Sequence, residues 1–419
     1  MGRRWWLVMA GVLSLVTGCQ RQDSSDGRTP VEFWTVGLKP VYNHYVEGLV
    51  SSYQQAHPDI RLVWQDYPLE AIVLKLQASI AGGFSPDVVN LNTDFAYLLA
   101  EKGALVDMDQ AVPADYQSGF FSGLWNAARY QGSNYALPWY VTLQATMYNA
   151  DLFRQADLDP QRPPRTWEEA LADARIIQQK TSYYGFCPNI NLLDDFQLYG
   201  IPIVSPDRRH ALFNTPAAVA RLNWYVNLFQ QGLVPRDTLT RGYQGALDRF
   251  IAGNLGMLFA GPNFLVHIKN DSKAVYDVTK VARLPPYPTG LVSAATMNFV
   301  VPTASRHRQQ AVDFAMFLTN DDNQLAFCKL TPILPSRIKA AKDPYFSRAG
   351  DTLEDQAIRL SLPDLPKARD LSLGLPHDQD LSRIVHETVE AALLGRKSAQ
   401  QALDDAVAQW NVILASNEP

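Results

Sequence analysis

The chain has 419 residues, long enough for two or three domains and for more than one hydrophobic core. With 47% hydrophobic and 19% charged residues it is globular rather than disordered. A formal net charge of -5 excludes the strongly basic footprint of a nucleic-acid binder, and three cysteines exclude a disulfide scaffold.

Residues 1–19 read MGRRWWLVMAGVLSLVTGC. Arg3 and Arg4 precede a short apolar run, Trp5 to Val16, which falls well below the ~20 residues of a spanning helix. Small residues then lead into Cys19. The pattern resembles a bacterial lipoprotein signal, which implies that residues 1–18 are a signal peptide and that Cys19 is cleaved free and diacylated. Losing Arg3 and Arg4 takes the formal net charge from -5 to -7. Residues 19–28 are polar without apolar period and read as a flexible tether. Two or more acyl chains hold a protein stably on a membrane. No further stretch reaches 18 consecutive apolar residues, so the chain sits on a membrane without crossing it.

Next, VEFWT (31–35), IRLVW (60–64) and DVVNL (87–91) read as strands. Residues 41–53, 69–81 and 95–102 between and after them have helical spacing. That alternation predicts a largely parallel sheet with helical crossovers. Residues 136–149, ALPWYVTLQATMYN, form a long strand-like run. Thr166 and Glu169 predict a capping box, and Thr215-Pro216 opens another helix. GMLFA (256–260) and MNFVV (297–301) are apolar strands. Helices over 310–318, 381–394 and 398–414 follow, the last with Ser398 and Gln401 as a capping pair. Cys187 and Cys328 read as small buried hydrophobes.

Taken in order, these segments resemble the extracytoplasmic solute-binding proteins of ABC importers, in the group that binds sugars and oligosaccharides. VEFWT, GGFSPDVVNLN, ALPWYVTLQATMYNADLFRQADLDPQRPPRTWEEALADA, FIAGNLGMLFAGPNF, MNFVVPTASRHRQQAVDFAMFLTNDDNQLAF and LLGRKSAQQALDDAVAQWNVIL carry the resemblance. It implies a periplasmic-binding-protein-like α/β fold: two α/β lobes with a hinge, a ligand cleft between them and a helical C-terminal extension. The implied first lobe is 29–141 plus 285–334 and the second is 142–284 plus 335–419. The implied partners are a carbohydrate ligand and the permease subunits. The chain is expected to be a monomer without cofactor or metal.

Open α/β sheets bind ligands beyond the carboxyl ends of their strands. A sugar needs aromatic planes for its C–H faces and Asp, Asn or Gln for its hydroxyls. At these positions stand Trp34, Asp66, Asn92, Asp94, Trp139, Tyr140, Thr142, Gln144, Asn263 and Asn298. Trp34 also suits a core position, Asn92 and Asp94 suit helix caps, and Asn263 suits a turn. Trp139 and Tyr140 should point opposite ways, one into the cleft and one into the core. Maltodextrin binders have a stacking Trp where this chain has Asn263, and the loop LSLGLPHDQD lacks an aromatic ring. Fewer stacking planes favour a mono- or disaccharide or a small glucoside over a long oligosaccharide. A glycerol-phosphate-type ligand is the alternative within the class, with Arg241 and Lys39 as its candidate cations. A lipid-anchored glycoside hydrolase is the alternative outside it, with Asp194-Asp195 as the carboxylate pair. No phosphate loop, His-Glu-x-x-His or G-x-S-x-G motif is present.

Overall fold

A computed structural model describes residues 27–348 and 350–416. The expected signal peptide, Cys19 and nearly all of the expected tether lie outside the described residues.

Two sheets organise the chain. The first has the spatial order Leu334–Pro335, Leu137–Leu143, Val292–Val300, Val88–Asn92, Thr29–Val36, Ile60–Tyr67, and Ala368–Arg369 pairs with Val292–Val300 at one end. The strands at 29–36, 60–67 and 88–92 are mutually parallel, as the strand–helix alternation predicts. Val292–Val300 is antiparallel to both of its main neighbours. The sheet is therefore mixed rather than largely parallel. This strand belongs to the chain's return into the sheet, so no βαβ crossover fixes its direction. The second sheet has the order Thr279–Ala282, Ala145–Asn149, Leu255–Ala260, Tyr184–Phe186.

Helices cover both faces of the first sheet. One core gathers Phe33, Trp139, Phe299, Phe314 and Phe327, and the other gathers Trp34, Ile72, Leu76, Leu91 and Tyr97. The second sheet has its own two cores. Phe153, Phe196, Leu222, Leu403 and Trp410 build one of them, and Met147, Phe250, Leu258 and Leu265 build the other. The terminal helices Asp378–Leu393 and Ala399–Ala415 pack into the first of these two, with the indole of Trp410 donating to the Leu381 carbonyl at 3.0 Å.

Helix starts follow the sequence signals closely. Ser398 and Gln401 form a complete capping box. Thr166 accepts from the Glu169 amide at 3.2 Å, but the Glu169 carboxylate reaches the amide of Arg165 rather than that of Thr166. The box is therefore displaced by one residue.

The run 136–149 divides at one residue. Leu137–Leu143 pairs in the first sheet, Ala145–Asn149 pairs in the second, and Gln144 joins them. The first sheet thus keeps Thr142 and Leu143, opposite Ala295 and Ala294, which the boundary at 141 assigned to the second lobe. The segment after 334 also differs from its assignment. Pro335 pairs with Tyr140, Ala368 and Arg369 pair with Val292 and Ser293, and Phe346 and Leu365 are buried in the first lobe's core. Phe346, Ile358, Leu365 and Ala368 are buried there, while Ala357 and Leu353 pack into the second lobe's core of Met147 and Phe250. From Leu373 onward the chain packs into the second lobe's other core, around Phe153 and Trp410.

Candidate functional site

A cleft of about 900 Å³ lies between the two sheets. The ends of the strands that point at it supply its walls. Gly37 and Leu38 follow the opening strand, and Asn92, Thr93 and Asp94 follow the third. Tyr140, Thr142 and Gln144 line it from the crossing run, where period-two spacing brings all three to one side. Gly261, Asn263 and Phe264 approach from the second lobe. A Cβ on Gly261 would stand 2.2 Å from Thr142 Cγ2, so the loop meets the crossing run only because residue 261 is glycine.

Six of the ten predicted residues therefore line the cleft: Asn92, Asp94, Tyr140, Thr142, Gln144 and Asn263. Asn92 also caps the following helix, its side chain accepting from the Phe95 amide at 3.1 Å. The Asn263 side-chain oxygen is buried without a hydrogen-bond partner among the described residues. Tyr140 and Trp139 do not point opposite ways as expected: their rings meet edge to face at 4.9 Å and both contact Phe327, where the pairing with Val292–Val300 shifts register between Met297 and Asn298. Trp139 is buried and stacks on Phe327 at 4.6 Å between centroids.

The other four residues do not reach the cleft. Trp34 lies in the core with Tyr67 across it at 4.8 Å, and its indole donates to Glu32 at 2.8 Å. Trp139 sits on the core side for the same reason: with helices on both faces of the sheet, either side of a strand can bury an indole. Asp66 is a buttress. Its carboxylate accepts from the Thr35 hydroxyl at 2.6 Å and from the amides of Leu38 and Lys39 at 3.0 Å each, fixing the loop that carries Gly37 and Leu38. Asn298 is fully buried and acts one step behind the wall. Its amide donates to the Thr93 hydroxyl at 3.2 Å, and that hydroxyl donates to Asp370 at 2.6 Å.

Periodicity gave no sign of the loop at 370–378. Asp370, Leu371, Ser372, Leu373 and Asp378 all line the cleft. Ser372 donates to Asp94 at 2.5 Å and lies 2.8 Å from Asp370, tying the two carboxylates together. His377, the unusual side chain in that loop, is not among the lining residues; its amide donates to Glu101 at 3.1 Å. Thr296 is buried, lines the cleft and has no partner for its hydroxyl oxygen among the described residues.

Four carboxylates thus face one space: Asp94, Asp194, Asp370 and Asp378. Among the described residues, no lysine or arginine lines it. Burial, with Asp370, Asp94 and Asp195 nearby, pushes the Asp194 carboxyl up to about 7. Burial and the charges of Asp94 and Glu101 push Asp378 up to about 6. Burial also raises Asp370, against the hydrogen bonds from Thr93 and Ser372. Both candidate cations are engaged elsewhere. Lys39 lies over the Trp64 ring at 4.4 Å, and Arg241 pairs with Asp248. Asp195 is not a second free carboxylate beside Asp194, because it is buried in an ion pair with Arg221. More rings border the cleft than the sequence suggested, with Tyr42, Phe327, Tyr243 and Phe264 joining Tyr140. Cys187 and Cys328 are buried free thiols, and no His, Cys, Asp and Glu set among the described residues is arranged for a metal.

The sequence matches the family described as bacterial extracellular solute-binding protein over residues 48–353. The chain belongs to that family. It is a binding protein rather than an enzyme. It is similar to an oligosaccharide periplasmic-binding protein from Synechococcus sp. MITs9220, with 32% identity and a TM-score of 0.83 over 93% of this chain and 100% of that one. It shares the fold of the cyclic alpha-maltosyl-1,6-maltose binding protein from Arthrobacter globiformis, with 22% identity and a TM-score of 0.79 over 93% of this chain and 100% of that one. The sn-glycerol-3-phosphate-binding periplasmic protein of Salmonella typhimurium is 26% identical over 92% of each chain. No helix among the described residues is long and apolar enough to cross a membrane.

Proposed function

We propose that this protein is the lipid-anchored substrate-binding component of an ABC-type sugar importer. It takes a mono- or disaccharide or a small glucoside into the interlobe cleft and delivers it unchanged to the permease. The observation that carries this reading is the composition of the cleft: four carboxylates, Asn and Gln amides and several aromatic rings, with no lysine or arginine. Sugar hydroxyls donate to carboxylates, and pyranose faces lie against rings. A phosphate would meet four acidic side chains and, among the described residues, no lysine or arginine, so the cleft disfavours a glycerol-phosphate ligand despite the similarity to the Salmonella protein. The two solved neighbours described above are named for oligosaccharide ligands, which supports the same substrate class.

Asn92, Asp94, Tyr140, Thr142, Gln144 and Asn263 would contact the ligand directly, together with Asp194 and Asp370. Asp66 and Asn298 would position the loop and the hydroxyl in front of them. Closure would bend the chain near Gln144, where one strand run passes from sheet to sheet. The joint surface of the closed lobes would then meet the permease. The lipid on Cys19 would hold a monomer at the membrane.

Thermal-shift screening of the tetherless protein against neutral sugars, polyols and glycerol 3-phosphate tests the reading. A neutral carbohydrate should raise the melting temperature by mass action, and glycerol 3-phosphate should not. Stabilisation by glycerol 3-phosphate alone contradicts it.

A further inference from the structure

A second, smaller pocket of about 120 Å³ opens off the cleft into the second lobe. Gln144, Asn191, Asp194, Tyr243 and Ser293 line both spaces, so the two meet at these side chains. Beyond that junction the walls are aromatic. Trp167, Trp224, Phe259 and Tyr287 contribute their rings. Trp167 lies edge-on to Phe259 at 4.9 Å and 5.1 Å from Tyr287. The buried pair Asp195–Arg221 completes the wall, with the guanidinium 4.1 Å above the Trp224 ring. The indole nitrogen of Trp167 is buried and has no hydrogen-bond partner among the described residues.

This combination suits a small hydroxylated group. The rings take C–H faces. The carboxylate–guanidinium pair offers fixed acceptors and donors, and the unpaired indole N–H offers one donor more. Size limits the guest. An engineered apolar cavity of about 150 Å³ holds benzene, so the smaller annex takes a short polyol arm or one edge of a second sugar ring and not a run of sugars.

We propose that this annex is a second subsite, which binds the pendant unit of a two-part glycoside whose sugar ring occupies the cleft. The proposal rests on the carbohydrate reading above and narrows it: the ligand is neither a free monosaccharide nor a long oligosaccharide.

Calorimetric titration of the tetherless protein with methyl glucosides, glyceryl glucosides and glucose disaccharides tests it. The glyceryl glucosides or the disaccharides should bind at least tenfold more tightly than the methyl glucosides. Ala246→Leu, which fills the annex, and Trp224→Ala, which removes a wall, should each cut that advantage below threefold and leave methyl glucoside affinity within twofold. Equal weakening of one-part and two-part ligands overturns the proposal, as does an undiminished advantage. Saturation-transfer NMR on the unsubstituted protein gives an answer even if both variants misfold. Protons of the pendant unit should be saturated as strongly as those of the sugar ring, and saturation confined to the sugar ring overturns the subsite. Failure of every glucoside here and of every neutral sugar in the thermal-shift panel contradicts the carbohydrate reading itself, whereas binding with no preference for a pendant unit contradicts the annex alone.

Discussion

Replacing Asp194 with Asn removes a charge that the folded protein holds at a cost. The carboxyl rises from an ordinary 3.8 to about 7 because it is buried beside Asp370, Asp94 and Asp195. A folded pKa above the unfolded one means that the native state keeps the proton longer. Stability is therefore intact below pH 3.8 and falls as pH rises toward 7. At about 1.4 kcal/mol per pKa unit, the loss reaches an upper bound of about 4 kcal/mol above pH 7. Asp194→Asn should accordingly stabilise the unliganded protein at pH 8 by up to about 4 kcal/mol and leave it nearly unchanged at pH 4. Urea denaturation of both proteins at the two pH values measures the difference. The same substitution should weaken carbohydrate binding at pH 8 by about tenfold or more, since a hydrogen bond to a charged group is worth about 1.5–3 kcal/mol. A stability gain that is equal at pH 4 and pH 8, or a loss at pH 8, refutes the reasoning.

Three further perturbations act elsewhere. Gly261→Ala places a methyl 2.2 Å from Thr142 Cγ2 and 2.5 Å from the Asn263 side-chain oxygen. It should cost about 1–3 kcal/mol by urea titration and lower ligand affinity, because both neighbours line the cleft. Asp66→Ala leaves the Thr35 hydroxyl and the amides of Leu38 and Lys39 without their acceptor. A loss of about 2 kcal/mol or more is expected, with faster amide exchange at Leu38 and Lys39. In cells fed a labelled fatty acid, the full chain should incorporate label and Cys19→Ser should not.

Much of the fold was readable because local signals and the global arrangement agree. The three parallel strands and their helices carry strong periods, and Ser398, Thr215 and Thr166 mark helix starts that the structure keeps. The crossing run was legible as one strand, but nothing in ALPWYVTLQATMYN shows that its pairing partners change at Gln144. Position at strand ends found six cleft residues. The same rule misplaced Trp34, because a sheet covered by helices on both faces has two apolar sides, and strict alternation failed at Trp139, whose ring lies against that of Tyr140 where the strand register shifts. Asp370, Ser372 and Asp378 were missed because they stand in a loop without period, brought to the cleft by the distant pairing of Ala368 and Arg369 with Val292 and Ser293. The annex was out of reach for a related reason: its rings come from positions 167, 224, 259 and 287, which meet only after the second lobe folds.

The proposed transport depends on a neutral carbohydrate being held intact between the two lobes. Equilibrium titration of the tetherless protein with its best ligand from the thermal-shift screen, followed by mass spectrometry of the recovered molecule, tests it most directly. One molecule should bind per chain, unaltered in mass after release, with no competition from glycerol 3-phosphate. Displacement by glycerol 3-phosphate, or recovery of a cleaved product, would contradict it.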